Sequence, residues 1–228
     1  MEWSCKCLGC EHQMCTNRVP IFSSLTHEEM DAIQSLIIQR TYQKGEVILK
    51  ANEPMHALFI LNEGVVKINK RYQDKEQILY LLTENEFFGE TNLFTQSQSN
   101  MNVVALTNTI LCTISKADFE KLVFKYPSIA LKMLEEITNR LIKTQQLIEN
   151  TGFKPIDERI VEVLNEFAPK YGKKDDKGTL IELPLNREEL ANYLGLTRET
   201  ISRKLAKMDK DGLIKIIGHK KILLYHSS

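Results

Sequence analysis

The sequence has no apolar run that approaches the eighteen residues needed to span a membrane, and its first residues lack the apolar core of a secretory signal. We therefore expect a cytoplasmic protein with no membrane segment. Excess charge is also missing, because 30 Lys/Arg residues balance 30 Asp/Glu residues in a chain of 228. Any nucleic-acid surface must then be local. The 43% hydrophobic content is that of an ordinary globular protein with one or two domains.

Patterns of common catalytic sites are absent as well. No Ser/His/Asp arrangement, HExxH motif or paired-carboxylate pattern stands out, and only five histidines occur. A metal- or redox-linked enzyme is therefore a weak alternative, and we expect no catalytic residues.

Cysteine is scarce except at the N-terminus. Cys112 lies far along the chain in an apolar pattern, whereas the other four cysteines fall in the first fifteen residues: Cys5, Cys7, Cys10 and Cys15. In a reducing cytosol such a cluster indicates metal or redox chemistry rather than a disulfide framework. Residues 1–19 otherwise have few large apolar residues, so we expect a ligand to order them. For Cys112 alone, a buried core thiol is the ordinary alternative.

The stretch 186–225 predicts a helix-turn-helix followed by a wing. Asn186 and Thr197 have the spacing of N-caps, and Gly195 separates two short helical patterns. The apolar residues that turn inward at helical spacing are Leu190, Ala191, Leu194, Ile201, Leu205 and Met208. Residues 213–217 and 222–225 then form a predicted hairpin.

The exposed start of the second predicted helix carries side chains suited to DNA. Arginine pairs with guanine, glutamate accepts from cytosine, and serine contacts a base or phosphate. From Thr197 onward there are eight Lys/Arg and three Asp/Glu, a net charge of +5 that suits phosphate contacts. One alternative is an ordinary solvated helix face, and another is a protein–protein adaptor that uses the barrel and has a degenerate DNA domain. The predicted DNA contacts are Thr197, Arg198, Glu199, Ser202 and Arg203.

Upstream, helical spacing with a cap at Thr26 predicts a helix within residues 19–40. Short β-rich runs follow, and they predict an antiparallel sandwich or barrel interrupted at residues 87–90. The predicted strands are 47–49, 58–61, 65–68, 78–82, 102–106 and 109–114.

Helical spacing returns at residues 117–124 and then runs without Gly from 128 to 151. The longer segment shows a heptad pattern, which favours a two-fold dimer helix over a helix packed only on the barrel. The predicted dimer seam is Ala130, Leu134, Ile137, Leu141, Thr144 and Ile148, with Leu131, Ile142 and Leu147 assigned to the barrel side. A hinge at 152–155, a helix at 156–167, a polar loop at 170–178 and a strand at 180–183 complete the chain.

The segment from Leu196 to Arg203, LTRETISR, resembles the start of the recognition helix in the CRP/FNR family of transcription regulators. Gly45, Gly64 and Phe88-Gly89-Glu90 match landmarks of that family's β-roll. The resemblance implies an α+β fold with a cupin-like β-roll (20–126), a dimerisation helix (127–152) and a winged helix-turn-helix (153–228). It also implies a homodimer on palindromic DNA with TTGAT-like half-sites, and RNA polymerase as a further partner.

Family members that bind cyclic nucleotides have an Arg-Ser or Arg-Thr pair for the phosphate, at about the position of Asn100-Met101. No basic residue occurs between Lys75 and Lys116 in this chain. Burying a cyclic phosphate without a cation is costly, so we expect no cyclic nucleotide.

The oxygen-sensing FNR branch holds a [4Fe–4S] cluster with three N-terminal cysteines and a fourth in the roll. The resemblance thus implies a cluster on Cys7, Cys10, Cys15 and Cys112. This chain departs from the pattern of that branch in two ways. Four residues instead of five separate Cys10 from Cys15, and Cys5 is an additional cysteine that could replace Cys7. A thiol–disulfide switch and a zinc site with His12 as a spare ligand stay open.

Overall fold

The computed structural model describes residues 19–54, 56–95 and 99–225, apart from the side chains of residues 147–153. These residues fall into two compact units. One contains the chain up to Lys70 together with Tyr80–Lys143, and the other contains Arg71–Leu79 together with the chain from Thr144. The α+β class is confirmed. None of the helices in the described ranges is long and apolar enough to cross a membrane.

Among the described residues, eight antiparallel strands form two four-stranded sheets, with orders β1-β8-β3-β6 and β2-β7-β4-β5. Apolar residues of both sheets are buried in two clusters, because alternate side chains of each strand point to the same face. All six predicted strands are present, and two short ones were not predicted. The strands are β1 (Ile38–Tyr42), β2 (Val47–Leu49), β3 (Ala57–Glu63), β4 (Val66–Tyr72), β5 (Lys75–Leu82), β6 (Phe87–Phe88), β7 (Asn102–Ala105) and β8 (Thr109–Ser115).

The first predicted helix is shorter than expected. Helix α1 covers His27–Gln34 and begins with the predicted capping box, in which Thr26 Oγ1 accepts from the Glu29 amide and Glu29 Oε2 accepts from the Thr26 amide. The extension to residue 40 is wrong, because Ile38–Tyr42 pairs with β8 as a strand. Because pairing with a distant strand leaves no local sequence signal, helical spacing alone predicts a helix that is too long.

The interruption at residues 87–90 contains more structure than a turn. Strand β6 ends at Phe88, Gly89 adopts φ +98°, and helix α2 (Glu90–Phe94) follows. Only glycine adopts this left-handed backbone at low cost, which explains its place between strand and helix.

Helices α3 (Lys116–Lys125) and α4 (Pro127–Phe153) follow the roll. Helix α4 continues through Gly152 and Phe153, so the predicted hinge is reduced to Lys154 and Pro155. Ile129 and Met133 of α4 are buried in the first core cluster, the one that contains Leu58 of β3 and Cys112 of β8. The assignment of Leu131 and Ile142 to the barrel side is wrong, because they are 70% and 47% exposed. Leu147 lies outside the described side chains.

The second unit contains the predicted winged helix-turn-helix. Its elements are α5 (Ile156–Tyr171), β9 (Gly172–Asp175), β10 (Gly178–Glu182), α6 (Arg187–Leu194), α7 (Arg198–Lys210), β11 (Ile214–Ile217) and β12 (Lys221–Tyr225). The predicted polar loop at 170–178 is wrong: α5 runs to Tyr171, and β9 pairs with β10 at the edge of a sheet ordered β11-β12-β10-β9. An exposed edge strand of Lys and Asp lacks the apolar alternation that identifies strands.

Candidate DNA interface and sensor residues

Helices α6 and α7 are set by local capping. Asn186 Oδ1 accepts from the amides of Glu188 at 2.9 Å and Glu189 at 3.0 Å. Gly195 ends α6 with φ +67°, and Thr197 Oγ1 accepts from the Thr200 amide at 3.2 Å. Both predicted caps are present, and together they fix the turn between the two helices.

The predicted DNA contacts lie at the exposed start of α7, with Thr197 as its N-cap. All five residues, Thr197, Arg198, Glu199, Ser202 and Arg203, are exposed. The opposite face is buried, with Ile201 at 0%, Leu205 at 1% and Met208 at 2% exposure. Within the described chain, no acidic side chain forms an ion pair with Arg198 or Arg203, so both guanidinium groups are available to a ligand.

Two residues that the sequence analysis did not single out support this helix pair from α5. Asp157 forms an ion pair with Lys204 of α7, and Arg159 donates from Nη2 to the carbonyl oxygen of Leu194 at the end of α6. The partners lie 47 and 35 residues apart in sequence, so no local pattern identifies them.

Cys112 is buried in β8 at 3% exposure. It belongs to one apolar cluster with Val19, Ile21 and Phe22 at the start of the described chain and with Ile129 and Met133 of α4. The other proposed ligands, Cys5, Cys7, Cys10 and Cys15, and the spare ligand His12, lie outside the described residues. In the described part of the chain, no three metal-ligating side chains come together.

A small cavity lies in the roll beside the Gly89-Glu90 turn. It has room for about one water molecule. Its described lining combines apolar side chains, Met101 among them, with the polar side chains of Tyr80, Glu90, Thr91, Asn92 and Ser99. Glu90 is the single charged residue of that lining, so a phosphate placed there would meet a carboxylate.

Arg140 of α4 holds the same turn from outside the cavity lining. Its Nη1 lies 3.2 Å from Glu90 Oε1, its Nη2 donates to the Phe87 carbonyl, and its guanidinium carbon lies 4.4 Å from the centre of the Phe87 ring. Burial, together with the Glu90 charge, raises the pKa of the nearby Tyr80 phenol to about 12. Tyr80 is therefore neutral at physiological pH.

Comparison with known proteins places these features in a family. Residues 39–126 match the cyclic nucleotide-binding domain family, and residues 158–226 match the Crp-like helix-turn-helix domain family. The chain belongs to the CRP/FNR family of transcription regulators.

Relatives of this CRP/FNR protein match it along most of their length. The probable transcriptional regulator flp of Lacticaseibacillus casei is 29% identical over 204 residues, which cover 90% of this chain and 91% of flp. The transcriptional activator FnrL of Cereibacter sphaeroides is 26% identical over 86% of this chain and 80% of FnrL. The structure of the c-di-GMP-responsive regulator CLP of Xanthomonas campestris aligns with a TM-score of 0.78 and 25% identity, over 89% of this chain and all of CLP.

Membership of the CRP/FNR family establishes a DNA-binding regulator rather than an enzyme. It does not fix the signal, since other relatives are named global nitrogen regulator and cAMP-activated global transcriptional regulator.

Regulators of this CRP/FNR type act as dimers. Helix α4 exposes an apolar stripe here, with Leu131 70%, Leu134 61% and Leu141 57% exposed. Of the predicted seam, Leu134 and Leu141 are thus solvent-accessible and Thr144 is exposed, whereas Ile137 is partly buried against the roll core. The side chain of Ile148 lies outside the described ones.

Proposed function

We propose that this CRP/FNR protein is a homodimeric, sequence-specific regulator whose DNA affinity depends on oxygen or redox state through its N-terminal cysteines and Cys112. The observation that carries the redox proposal is the shared core around Cys112. One apolar cluster joins this thiol to the residues that follow the cysteine-rich segment and to the first turns of α4. A chemical change at Cys112 therefore acts directly on the packing of the proposed dimer helix.

DNA recognition is assigned to the exposed face of α7. Arg198 and Arg203 contact guanine or phosphate, Glu199 accepts from cytosine N4, and Ser202 contacts a base edge. Thr197 caps the helix and brings its first turn to the groove. A dimer presents two such helices to half-sites one DNA turn apart, which matches a palindrome with TTGAT-like half-sites.

The dimer helix is proposed to pair through the exposed stripe of α4. At 100° per residue, Leu131, Leu134, Thr138, Leu141 and Gln145 lie within an arc of about 80° and follow the alternating three- and four-residue steps of a heptad. The originally predicted seam uses Ile137 and Thr144 instead and shares Leu134 and Leu141. Because Ile137 already packs against the roll core, the shifted register supports a second copy of the chain better.

Cysteine thiolates are the ligands of a [4Fe–4S] cluster, and Cys112 is the one proposed ligand that lies among the described residues. Cys7, Cys10 and Cys15 would supply three thiolates, with Cys5 as a substitute for Cys7, and Cys112 the fourth. Such a cluster would supply oxygen-reactive iron when bound. Cys15 lies four residues before Val19, a distance that an extended chain spans in at most about 14 Å. Because Val19 and Cys112 share one core cluster, this short sequence distance supports the assignment.

A thiol–disulfide switch is the second candidate, and the burial of Cys112 favours it. A neutral disulfide between Cys112 and an N-terminal cysteine leaves no charge in the apolar core, whereas a thiolate-bound cluster or zinc ion needs deprotonated sulfur there. The disulfide needs one N-terminal cysteine, and Cys5, which is additional to the three proposed cluster ligands, can supply it.

The test is to purify the protein without oxygen and to record its visible spectrum, its iron and sulfide content and its DNA affinity before and after exposure to air. The cluster predicts a coloured protein with about four iron and four sulfide per chain, and weaker DNA binding after air. A colourless protein that gains one disulfide in air and changes affinity supports the switch. A colourless, iron-free protein with equal affinity in both conditions refutes redox sensing.

A further inference from the structure

The first turn of α5 contacts both helices of the helix-turn-helix. Asp157 reaches Lys204 of α7, with Nζ 3.0 Å from Oδ1 and 3.1 Å from Oδ2. Two residues later, Arg159 donates to the Leu194 carbonyl at the end of α6. We propose that Asp157 and Arg159 are positioning residues that fix α7 for sequence-specific DNA binding. This inference rests on the DNA-reading function proposed above and names two residues on which its specificity depends.

The Asp157–Lys204 pair holds α7 on the side opposite Ser202. Lys204 lies two positions after Ser202, about 200° around the helix, so the two side chains point in nearly opposite directions. The side chains of Lys204 and Asp157 are 27% and 37% exposed, so solvent screens this ion pair only in part. Lys204 is not one of the proposed DNA contacts, so the pair fixes the rotation of α7 without engaging any of them.

Arg159 holds the turn at the other end of the motif. The Leu194 carbonyl belongs to the last turn of α6, where carbonyl groups have no partner within the helix and a cation is favourable. Directly after it, Gly195 takes its left-handed conformation, and the amide of Leu196 donates to the Ala191 carbonyl at 2.9 Å. Arg159 thus fixes to α5 the point from which the chain turns into α7.

The two contacts lie on either side of the turn. One holds the end of α6, the other holds the second turn of α7, and both start from a single turn of α5. A rotation of α7 against α5 must break the ion pair or the hydrogen bond. A third contact, between Lys154 and Glu162, ties the segment before α5 to the same helix. Recognition side chains must be held within a fraction of an ångström, so these contacts determine specificity without touching DNA.

The test compares affinity for a selected palindrome with affinity for unrelated DNA at one salt concentration. Replacing Asp157 by Asn removes a negative charge, which by simple electrostatics leaves unchanged or slightly raises the affinity for every DNA sequence. If Asp157 positions α7, the affinity for the palindrome should instead fall. We expect Asp157→Asn to lower the ratio of specific to unrelated binding by roughly tenfold, a loss comparable to part of one base contact.

Arg159→Lys is the second variant, because it keeps the charge and removes the planar guanidinium. It should lower the same ratio while binding to unrelated DNA stays constant. Glu158→Gln is the matched control, since Glu158 is exposed, lies between the two residues and undergoes the same change of charge as Asp157→Asn. If the pair acts as a unit, Asp157→Asn combined with Lys204→Gln should lose no more than Asp157→Asn alone. Thermal unfolding followed by circular dichroism establishes that each variant is folded.

One outcome is a wild-type protein that prefers its palindrome, with folded Asp157→Asn and Arg159→Lys variants that keep the same ratio of specific to unrelated binding. That result overturns the positioning role and leaves the proposed DNA reading intact. A ratio lowered equally by Glu158→Gln also overturns it, because charge would then account for the effect. A wild-type protein without sequence preference overturns this inference and the proposed DNA reading together.

Discussion

The contacts of Arg140 show how one residue joins the roll to the dimer helix. Its guanidinium forms an ion pair with Glu90, a hydrogen bond to the Phe87 carbonyl and a cation–π contact with the Phe87 ring. The two charged side chains are only 25% and 15% exposed, and Glu90 Oε2 is buried without a partner among the described residues. Breaking such a pair leaves an uncompensated charge, which costs more than the pair itself contributes.

Arg140→Met should therefore lower the free energy of unfolding of the roll by about 1–3 kcal/mol, the cost of leaving a charged partner unsatisfied. Urea denaturation measures this change. Lys132→Met is the matched control on the same helix, since Lys132 pairs with Glu135 at 3.0 Å in exposed positions. The control should change stability by less than about 1 kcal/mol. Equal losses in both variants would contradict the role assigned to Arg140.

Tyr80 makes the stability of the roll depend on pH in the alkaline range. Burial raises its pKa from the usual 10.0 to about 12, so the folded protein holds the phenol proton more tightly than the unfolded chain does. The stabilisation is complete below pH 10 and is lost as pH rises toward 12, because only the unfolded chain ionises in that interval. Between those pH values, Tyr80→Phe should reduce the pH dependence of the free energy of unfolding by up to about 1.4 kcal/mol per pH unit. Denaturation curves at several alkaline pH values test it, and parallel slopes for both proteins would contradict it.

Glu199 is the residue for which the sequence makes the most specific DNA prediction. Glu199→Ala should relax base preference at one half-site position by roughly 1–3 kcal/mol and leave the other positions unchanged. Glu188→Ala provides the charge control, because Glu188 is exposed in the first turn of α6. The measurement is binding to palindromes with every base at each half-site position. Unchanged discrimination at all positions would show that Glu199 reads no base.

At the scale of secondary-structure elements, prediction succeeded where the signal is local. The caps at Thr26, Asn186 and Thr197 fix helix starts through bonds across three residues, so the sequence contains the whole cause. Strand β1 was mistaken for helix and β9 for loop, because strand pairing depends on residues that are distant or lack alternation. The five proposed DNA contacts could be named from the sequence, since they lie within seven consecutive residues at the start of one helix and are exposed there. The supports of that helix, Asp157 and Arg159, could not, because their partners are brought near only by the fold.

Helix α4 illustrates the same limit, because two heptad registers fit its sequence and only packing separates them. In the shifted register, Leu131 lies in the dimer seam and Thr144 outside it. Leu131→Asp should then weaken dimerisation by at least roughly tenfold, since association would bury a charge, while Thr144→Asp has a smaller effect. Analytical ultracentrifugation over a concentration series measures both. Asn139→Asp, on another exposed side of the helix, is the control, and a larger effect of Thr144→Asp would favour the original seam.

At the scale of the whole molecule, the first core cluster gives the proposed signal a physical path. Cys112 packs in the same cluster as Ile129 and Met133, and α4 continues from there without interruption to Phe153. A buried core is close-packed, so a change of volume or charge at Cys112 must be accommodated by its neighbours on α4. Coupling of a few kcal/mol suffices to change dimer or DNA occupancy by orders of magnitude.

The last prediction separates the two redox chemistries by their cysteine requirements. Cys112→Ser should abolish the response of DNA affinity to air in either chemistry, because both use the buried thiol. Cys10→Ser should abolish it for the cluster, since Cys10 belongs to the proposed ligand set, and should leave it intact for a disulfide that pairs Cys5 with Cys112. Cys5→Ser should abolish it for that disulfide, and for the cluster only where Cys5 takes the place of Cys7, so the Cys10 variant decides between the two. DNA affinity measured before and after air in the three variants decides between them. A wild-type response that survives in Cys112→Ser would remove Cys112 from the sensor, and with it the path from the roll core to α4.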